Sequence, residues 1–363
     1  MRPLDGIISW AERRERPLTG VWLAGGFAFD SWTFGRIDRP ETQAVFIVYL
    51  LVAGIAIAVL HALESRPEGR KPSDRTRTIL IFLTQFALGA LLSGFCVFYI
   101  RSASITSSWP FLLGMAAILI GSEYLRRYHT RLVFAALLLF FSIYSYAILL
   151  VPLGIGQIGT VPFLLSGVVA VGIFFVYMRA LARLGHERYH SARMQVAGGM
   201  VLITIALNAA YFLRILPPLP LVLTDAGIYH SAKRVNGDFE VAEEDEPPEW
   251  QALFGSYPIM HIQPGAKLYL YNAIFAPRGL RTRIVHEWQR LDPKQGWVTQ
   301  QRISVPIQGG RDGGYRYYTV KTAPRPGDWL VRINTFDGRS IGRVRFAVKL
   351  QAVPPATFTK ILK

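Results

Sequence analysis

The chain changes character at about Pro217. Before it, long apolar runs alternate with short arginine-rich loops. After it, polar and apolar residues alternate between turns of Gly, Pro and Asp. One core cannot serve both patterns. Runs of about 20 apolar residues are matched to a bilayer, whereas period-two strands need a wet face and a dry one. The mean hydropathy of +0.28 and the 18% charged content are averages over these unlike halves. The expected architecture is an α-helical polytopic membrane bundle of six or seven spans followed by an all-β, Ig-like antiparallel sandwich. The boundaries read as a cytoplasmic basic N-terminus (1–17), a transmembrane domain (18–214), a Pro-rich linker (215–222) and a periplasmic β-sandwich (223–363).

Clear apolar runs occupy 42–63, 78–100, 109–125, 132–151, 161–180 and 195–213, with a weaker one at 18–34. Loop charges orient them. Sixteen Arg and Lys residues fall before residue 18, in the loops after 63 and 125, and between Arg179 and Arg193, against four (Arg36, Arg39, Arg101, Arg214) on the other side. The positive-inside rule then places the N-terminus in the cytoplasm and the C-terminal domain outside, in the periplasm of a bacterial inner membrane. If 18–34 does not span, only the N-terminus changes sides.

Polar groups near the spans need reasons, because burying a charge in a bilayer is costly. Asp30, Arg36, Asp38 and Arg39 form an outer-face cluster, read either as a polar site or as a helix end whose charges pair and cap one another. Glu123 beside Arg126 and Arg127 reads as an interfacial ion pair. Asn208 and Gln195 read as interhelical hydrogen-bonders, and Ser166/Ala170 and Gly198/Gly199 as close-packing positions. Cys96, the single cysteine, reads as an ordinary apolar residue that allows no intramolecular disulfide.

In the linker, the prolines of Pro217-Pro218-Leu219-Pro220 end the last helix and predict an extended spacer. The acidic stretch from Glu243 to Glu249 reads as a solvated loop. Strands are predicted at 267–275, 281–291, 298–306, 314–322, 328–336 and 339–350, with a tight turn at Asp337-Gly338. Six or seven short strands predict the sandwich, with Trp288 and Trp329 anchoring its core. In the last strand Val344, Phe346 and Val348 face inward. Arg343, Arg345 and Lys349 then line a basic outer face, joined by Arg332.

The 309–314 glycine loop with Arg311, Arg316 and Tyr317 is the expected contact group. Its plainer reading is turn glycine and strand packing. His286 reads as a hydrogen-bonded core residue, since no nucleophile stands at readable spacing. His230 and His261 form no metal-binding pattern, and no cofactor site is expected. Basic residues flanking apolar spans, without a DNA or RNA motif, argue against nucleic acid as a partner.

Several spaced motifs also resemble a known family. They are Pro217-Pro218-Leu219-Pro220-Leu221, Gly227-Ile228-Tyr229-His230-Ser231, His286-Glu287-Trp288, Gly309-Gly310-Arg311, Gly314-Tyr315-Arg316, Gly327-Asp328-Trp329, and Asp337-Gly338-Arg339 leading to Gly342-Arg343 and Phe346. Over 219–349 they resemble the bacterial family called domain of unknown function 2914, often fused behind a multi-span membrane region. The resemblance implies a fold and a cellular address but no chemistry.

Two functions fit. One is a non-catalytic envelope protein whose outer domain binds a protein partner or an anionic envelope polymer. The other is a membrane enzyme or transporter acting on a lipid or lipid-linked sugar through the cluster around Asp30. The lipid bilayer is a partner in both.

Overall fold

The structure, a computed structural model, describes residues 27–28, 30–31, 34–67, 72–124, 132–184, 186–244, 257–311 and 313–362. They form two compact units. One takes the chain through Ile100 with Pro110–Val151 and Thr160–Phe212. The other takes Arg101–Trp109, Pro152–Gly159 and Leu213–Lys363.

The N-terminal half holds α1 (Pro40–Glu64), α2 (Asp74–Ser102), α3 (Ile105–Tyr124), α4 (Leu132–Ile155), α5 (Thr160–Leu184) and α6 (His186–Phe212). Helix α1 begins where Pro40 occupies a first-turn position that needs no N–H, with Glu41 beside the positive end of the helix dipole. Five helices carry stretches long and apolar enough to cross a membrane: α1, α2, α4, α5 and Ala192–Phe212 within α6. The 24 residues of α4 measure about 36 Å, against a hydrocarbon core of about 30 Å. The run at 109–125 falls in α3, a helix of 20 residues whose stretch Ser107–Ser122 is apolar. The N-terminus 1–17, most of the weak run at 18–34, Arg126, Arg127 and the side chain of Glu123 lie outside the described residues.

Helix α4 is the most enclosed, with 78% of its apolar window buried. Close approach to it depends on small neighbours. A Cβ on Gly167 would meet the Tyr144 hydroxyl at 2.5 Å, and one on Gly199 would fall on Leu137. Ser166 and Ala170 are also buried, whereas Gly198 faces open space. Asn208 Nδ2 donates to the Tyr144 hydroxyl at 3.2 Å, as expected of an interhelical bond, while Gln195 is exposed. On α1 and α5, the Tyr177 hydroxyl donates to the Gly54 carbonyl at 3.1 Å. Cys96 is buried. The outside is apolar too: Ile47, Leu51, Ile55, Phe82, Val168, Val176 and Leu202 are all exposed. So much exposed apolar surface suggests a membrane protein.

The β unit contains β1 (Val222–Tyr229), β2 (Ser231–Val235), β3 (Asp238–Glu243), β4 (Ile259–Ile262), β5 (Lys267–Phe275), β6 (Arg281–Asp292), β7 (Gly296–Gln308), β8 (Tyr315–Thr322), β9 (Gly327–Thr335), β10 (Ser340–Leu350) and β11 (Phe358–Leu362). They build a three-stranded sheet β1-β5-β8, a five-stranded sheet β4-β10-β9-β6-β7 and a second three-stranded sheet β11-β3-β2. All pairings are antiparallel except β10 with β4, which is parallel.

The first two sheets share one core. Leu268, Leu270 and Ile274 of β5 join Ile284, Trp288, Trp329, Val331, Ile333 and Phe346 of the larger sheet. Trp288 and Trp329 are fully buried, as expected of core anchors. Trp288 meets Phe346 edge-on and Trp329 stacks on it. The Asp337-Gly338 turn forms as expected. Gly338 has φ of 82°, its N–H donates to the Thr335 carbonyl at 3.0 Å, and Asp337 pairs with the buried Arg339.

Two expectations are corrected. The Pro-rich segment is not an extended spacer: residues 216–221 are buried and turned. Leu219 N–H donates to the Pro217 carbonyl at 2.8 Å and Leu221 N–H to that of Pro218 at 3.1 Å. Burying its leucines outweighs the stiffness of the prolines. The acidic stretch does not begin as a solvated loop. Glu243 is buried in β3 and paired with Lys360 at 3.2 Å, and Glu244 is held by two histidines. Residues 245–249 lie outside the described residues.

Candidate functional site: an arginine row and an arginine cleft

Strand register places the basic residues. Arg343 on β10 is opposite Arg332 on β9, Arg332 is opposite Glu287 on β6, and Glu287 is opposite Arg302 on β7. Directly opposed residues project from one face. At about 4.8 Å per strand the row spans about 15 Å, with three guanidiniums and one carboxylate. Its other face is the core, because Trp329, Val331 and Phe346 alternate with the arginines. Glu287 and Arg302 pair at 2.9 Å, but Arg302 is 68% exposed, so water screens the pair. The expected outer face is therefore present, with Arg332 and Arg343 side by side. Arg345 is engaged otherwise. Its guanidinium lies over the Tyr257 ring at 4.3 Å, with Asp328 at 3.9 Å.

Beyond this row, at the start of β6, Arg281, Arg283 and Arg311 line an open cleft of about 1110 Å³. Ile158, Ile307 and Phe336 form its apolar walls, with Gln157 and Gln308 as neutral polar neighbours. Among the described residues, none that lines it is acidic. The chain builds the cleft through close backbone approaches. Helix α4 ends at Gly156, whose φ of 72° suits glycine and whose N–H donates to the Pro152 carbonyl at 2.9 Å. The Gly156 carbonyl then accepts from Arg281 N–H at 3.0 Å. Gly309 and Gly310 lie on the β5–β6 turn, their N–H groups donating to the Leu280 and Ala276 carbonyls at 2.8 and 3.0 Å. A Cβ at Gly309 would fall on the Pro277 carbonyl oxygen. These glycines thus serve backbone approach, and in doing so they position Arg311, which lies 5.5 Å from the centre of the Tyr315 ring.

The structure does not gather Arg311, Arg316 and Tyr317 into one group. Arg316 pairs with Asp238 of β3 at 3.3 Å. Tyr317 is buried against His286. Alternation along β8 explains the split, since Tyr315 and Tyr317 point to the side opposite Arg316. His286 is the hydrogen-bonded core residue expected of it. Nδ1 is 2.8 Å from the Thr319 hydroxyl and Nε2 is 3.1 Å from the Tyr317 hydroxyl. Burial pushes its pKa down to about 4, so it is neutral near pH 7.

The sequence reading missed a further cluster. Glu244 bridges His230 Nε2 at 2.6 Å and His261 Nδ1 at 2.8 Å, and also accepts from the His261 backbone N–H at 2.7 Å. It ties the turn after β1 to the end of β3 and to β4. The three residues are 14 and 17 positions apart, so no local motif announces them.

In the membrane-half cluster, Arg36 and Asp38 form a two-pronged ion pair at 2.7 and 3.0 Å. Arg39 stands in extended conformation just before α1, and Asp30 is half-buried on an earlier helical turn. The sequence put these four together. The pairing described within them is that of Arg36 with Asp38.

Residues 281–348 match the family described as Protein of unknown function (DUF2914). The match lies inside the 219–349 stretch where the motifs resemble that family. It opens at the first residue of β6, closes within β10, and contains every arginine of the row and of the cleft. No curated protein matches the chain. Among solved structures, the Pseudomonas fluorescens alkylpurine DNA glycosylase AlkC bound to DNA containing an abasic site analog aligns at 8% identity. The alignment covers 87% of this chain and 100% of that one with a TM-score of 0.22, a likeness that carries no argument.

Proposed function

We propose that the chain is a non-catalytic integral protein of the bacterial inner membrane. Its N-terminus is cytoplasmic, and its Ig-like C-terminal domain binds a protein partner or an anionic envelope polymer in the periplasm. Arg332 and Arg343, adjacent on a solvent-facing sheet in a row whose one carboxylate is Glu287, carry this reading. Like charges placed side by side are costly unless screened or met by an anion. The loop-charge bias supports the topology. Two sheets over one core support the Ig-like description, with the parallel β10–β4 pair as a departure. The reading as an enzyme or transporter is less favoured, because Arg36 and Asp38 neutralise each other.

The test uses the full chain in nanodiscs of neutral lipid, titrated with lipopolysaccharide and with soluble peptidoglycan fragments at low and physiological salt. Binding that persists at physiological salt and weakens in the Arg332→Ala, Arg343→Ala variant supports the reading. Binding lost with salt and unchanged in the variant reduces it to net charge.

A further inference from the structure

We infer that the cleft of Arg281, Arg283 and Arg311 is a seat for the phosphate of an anionic phospholipid at the outer surface of the membrane. The inference rests on the membrane reading of α4 and α5, and is independent of what the Arg332–Arg343 row binds.

Three observations converge. The first is charge. Three arginines line one cleft with no carboxylate among the described lining residues, and guanidinium matches phosphate oxygens in pairs. The second is shape. The cleft is open and sets the arginines beside the exposed ring of Phe336, which a glycerol backbone and the first methylenes of an acyl chain would cover. A free anion gains nothing from that ring. The third is depth. Gln157 and Ile158 line the cleft and belong to the four residues between the end of α4 and the start of α5. Both helices are long and apolar enough to span, so so short a connection lies at headgroup level. The hydrogen bond from Arg281 N–H to the Gly156 carbonyl holds the start of β6 to that connection. An exposed aromatic such as Phe336 also suits the interface between lipid and water.

Phosphatidylglycerol is the probe and phosphatidylcholine the control, since they share a phosphodiester and differ in net charge. Full-length protein is purified in neutral detergent, loaded with an equimolar mixture of the two, washed and read by native mass spectrometry. Phosphatidylglycerol is expected to be retained over phosphatidylcholine by roughly tenfold, the scale of one charge-assisted hydrogen bond. That preference should vanish in Arg281→Gln, Arg283→Gln, Arg311→Gln and persist in Arg332→Gln, Arg343→Gln. Millimolar inorganic phosphate should leave it unchanged.

Equal retention of both lipids in the wild type overturns the inference, as does a preference that survives the triple change. Displacement by inorganic phosphate at comparable concentration overturns it in favour of a free-anion site. If the triple variant does not fold, Arg311→Gln alone, on an exposed loop, is read instead and should reduce the preference. Loss of polymer binding in the Arg332→Gln, Arg343→Gln variant with lipid preference intact concerns the sheet face only.

Discussion

The Tyr317 ring lies nearly parallel over the His286 imidazole, 5.2 Å away and inclined by 14°, and its hydroxyl reaches His286 Nε2 at 3.1 Å. With Thr319 at Nδ1, both ring nitrogens have partners inside the core, where the ring has no access to water. A histidine so placed is stable only while neutral.

That arrangement sets a pH dependence. The unfolded chain takes up the proton near pH 6.5, and the folded one only near pH 4. Between these values the unfolded state binds more protons, so stability is complete above about pH 6.5 and declines as the pH falls toward 4. The difference corresponds to about 3 kcal/mol at most. Tryptophan-fluorescence unfolding of the full chain from pH 7.5 to 4.5 should show this slope, and His286→Gln should flatten it. An unchanged slope in the variant would refute the assignment.

Gly309→Ala should harm the protein more than its small size suggests. The added methyl would collide with the Pro277 carbonyl, which is backbone and cannot rotate away. Forcing the loop off the β5–β6 turn should cost about 1–3 kcal/mol, measured by denaturant unfolding, and displace Arg311. A variant as stable as wild type would mean that the loop is loosely held.

Two adjacent glycines on α6 should respond in opposite ways. Gly199→Leu would drive a side chain into Leu137 of α4 and lower the melting temperature in detergent, whereas Gly198→Leu would point into open space and be tolerated. Equal effects would show that α6 does not pack on α4 in this register.

Glu244→Gln tests the histidine bridge. Glutamine keeps the shape but cannot accept through both ends of its side chain, so at least one histidine loses its partner. The expected loss is about 1–2 kcal/mol by chemical unfolding, with the His230→Asn, Glu244→Gln double variant less than additive. Additive losses would mean that the two side chains do not interact.

What the sequence disclosed depended on how local the cause was. Strand β5 was read at its observed ends, and β6 to β10 within two residues, because glycine and proline turns punctuate a strong period-two pattern. The hairpin of β2 and β3 went unread, although Asn236 and Gly237 carry the positive φ angles of a tight turn, 50° and 94°. Its flanks are only five and six residues long and hold Lys233, Arg234, Asp238 and Glu240, which mask the alternation. Strand β4 has four residues, and β11 returns from the far end of the chain to pair with β3. Glu243 looked solvated because its partner, Lys360, is 117 positions away. The arginine row was half visible: the last two strands suggested Arg343 joined by Arg332, but only the register with β6 and β7 adds Glu287 and Arg302 to the row. The cleft was not visible, because Gln157 and Arg281 meet only in three dimensions.

Strand β7 is the last in its sheet, thirteen residues long, with one flank unpaired within that sheet. Proteins confined to a membrane meet one another at high local concentration, where such a flank invites strand-by-strand polymerisation. Pro306 has no N–H to offer a neighbour, and the exposed Arg302 repels a second copy aligned with it. The strand that closes the basic face thus also carries, in Pro306 and Arg302, the features that disfavour edge-to-edge pairing.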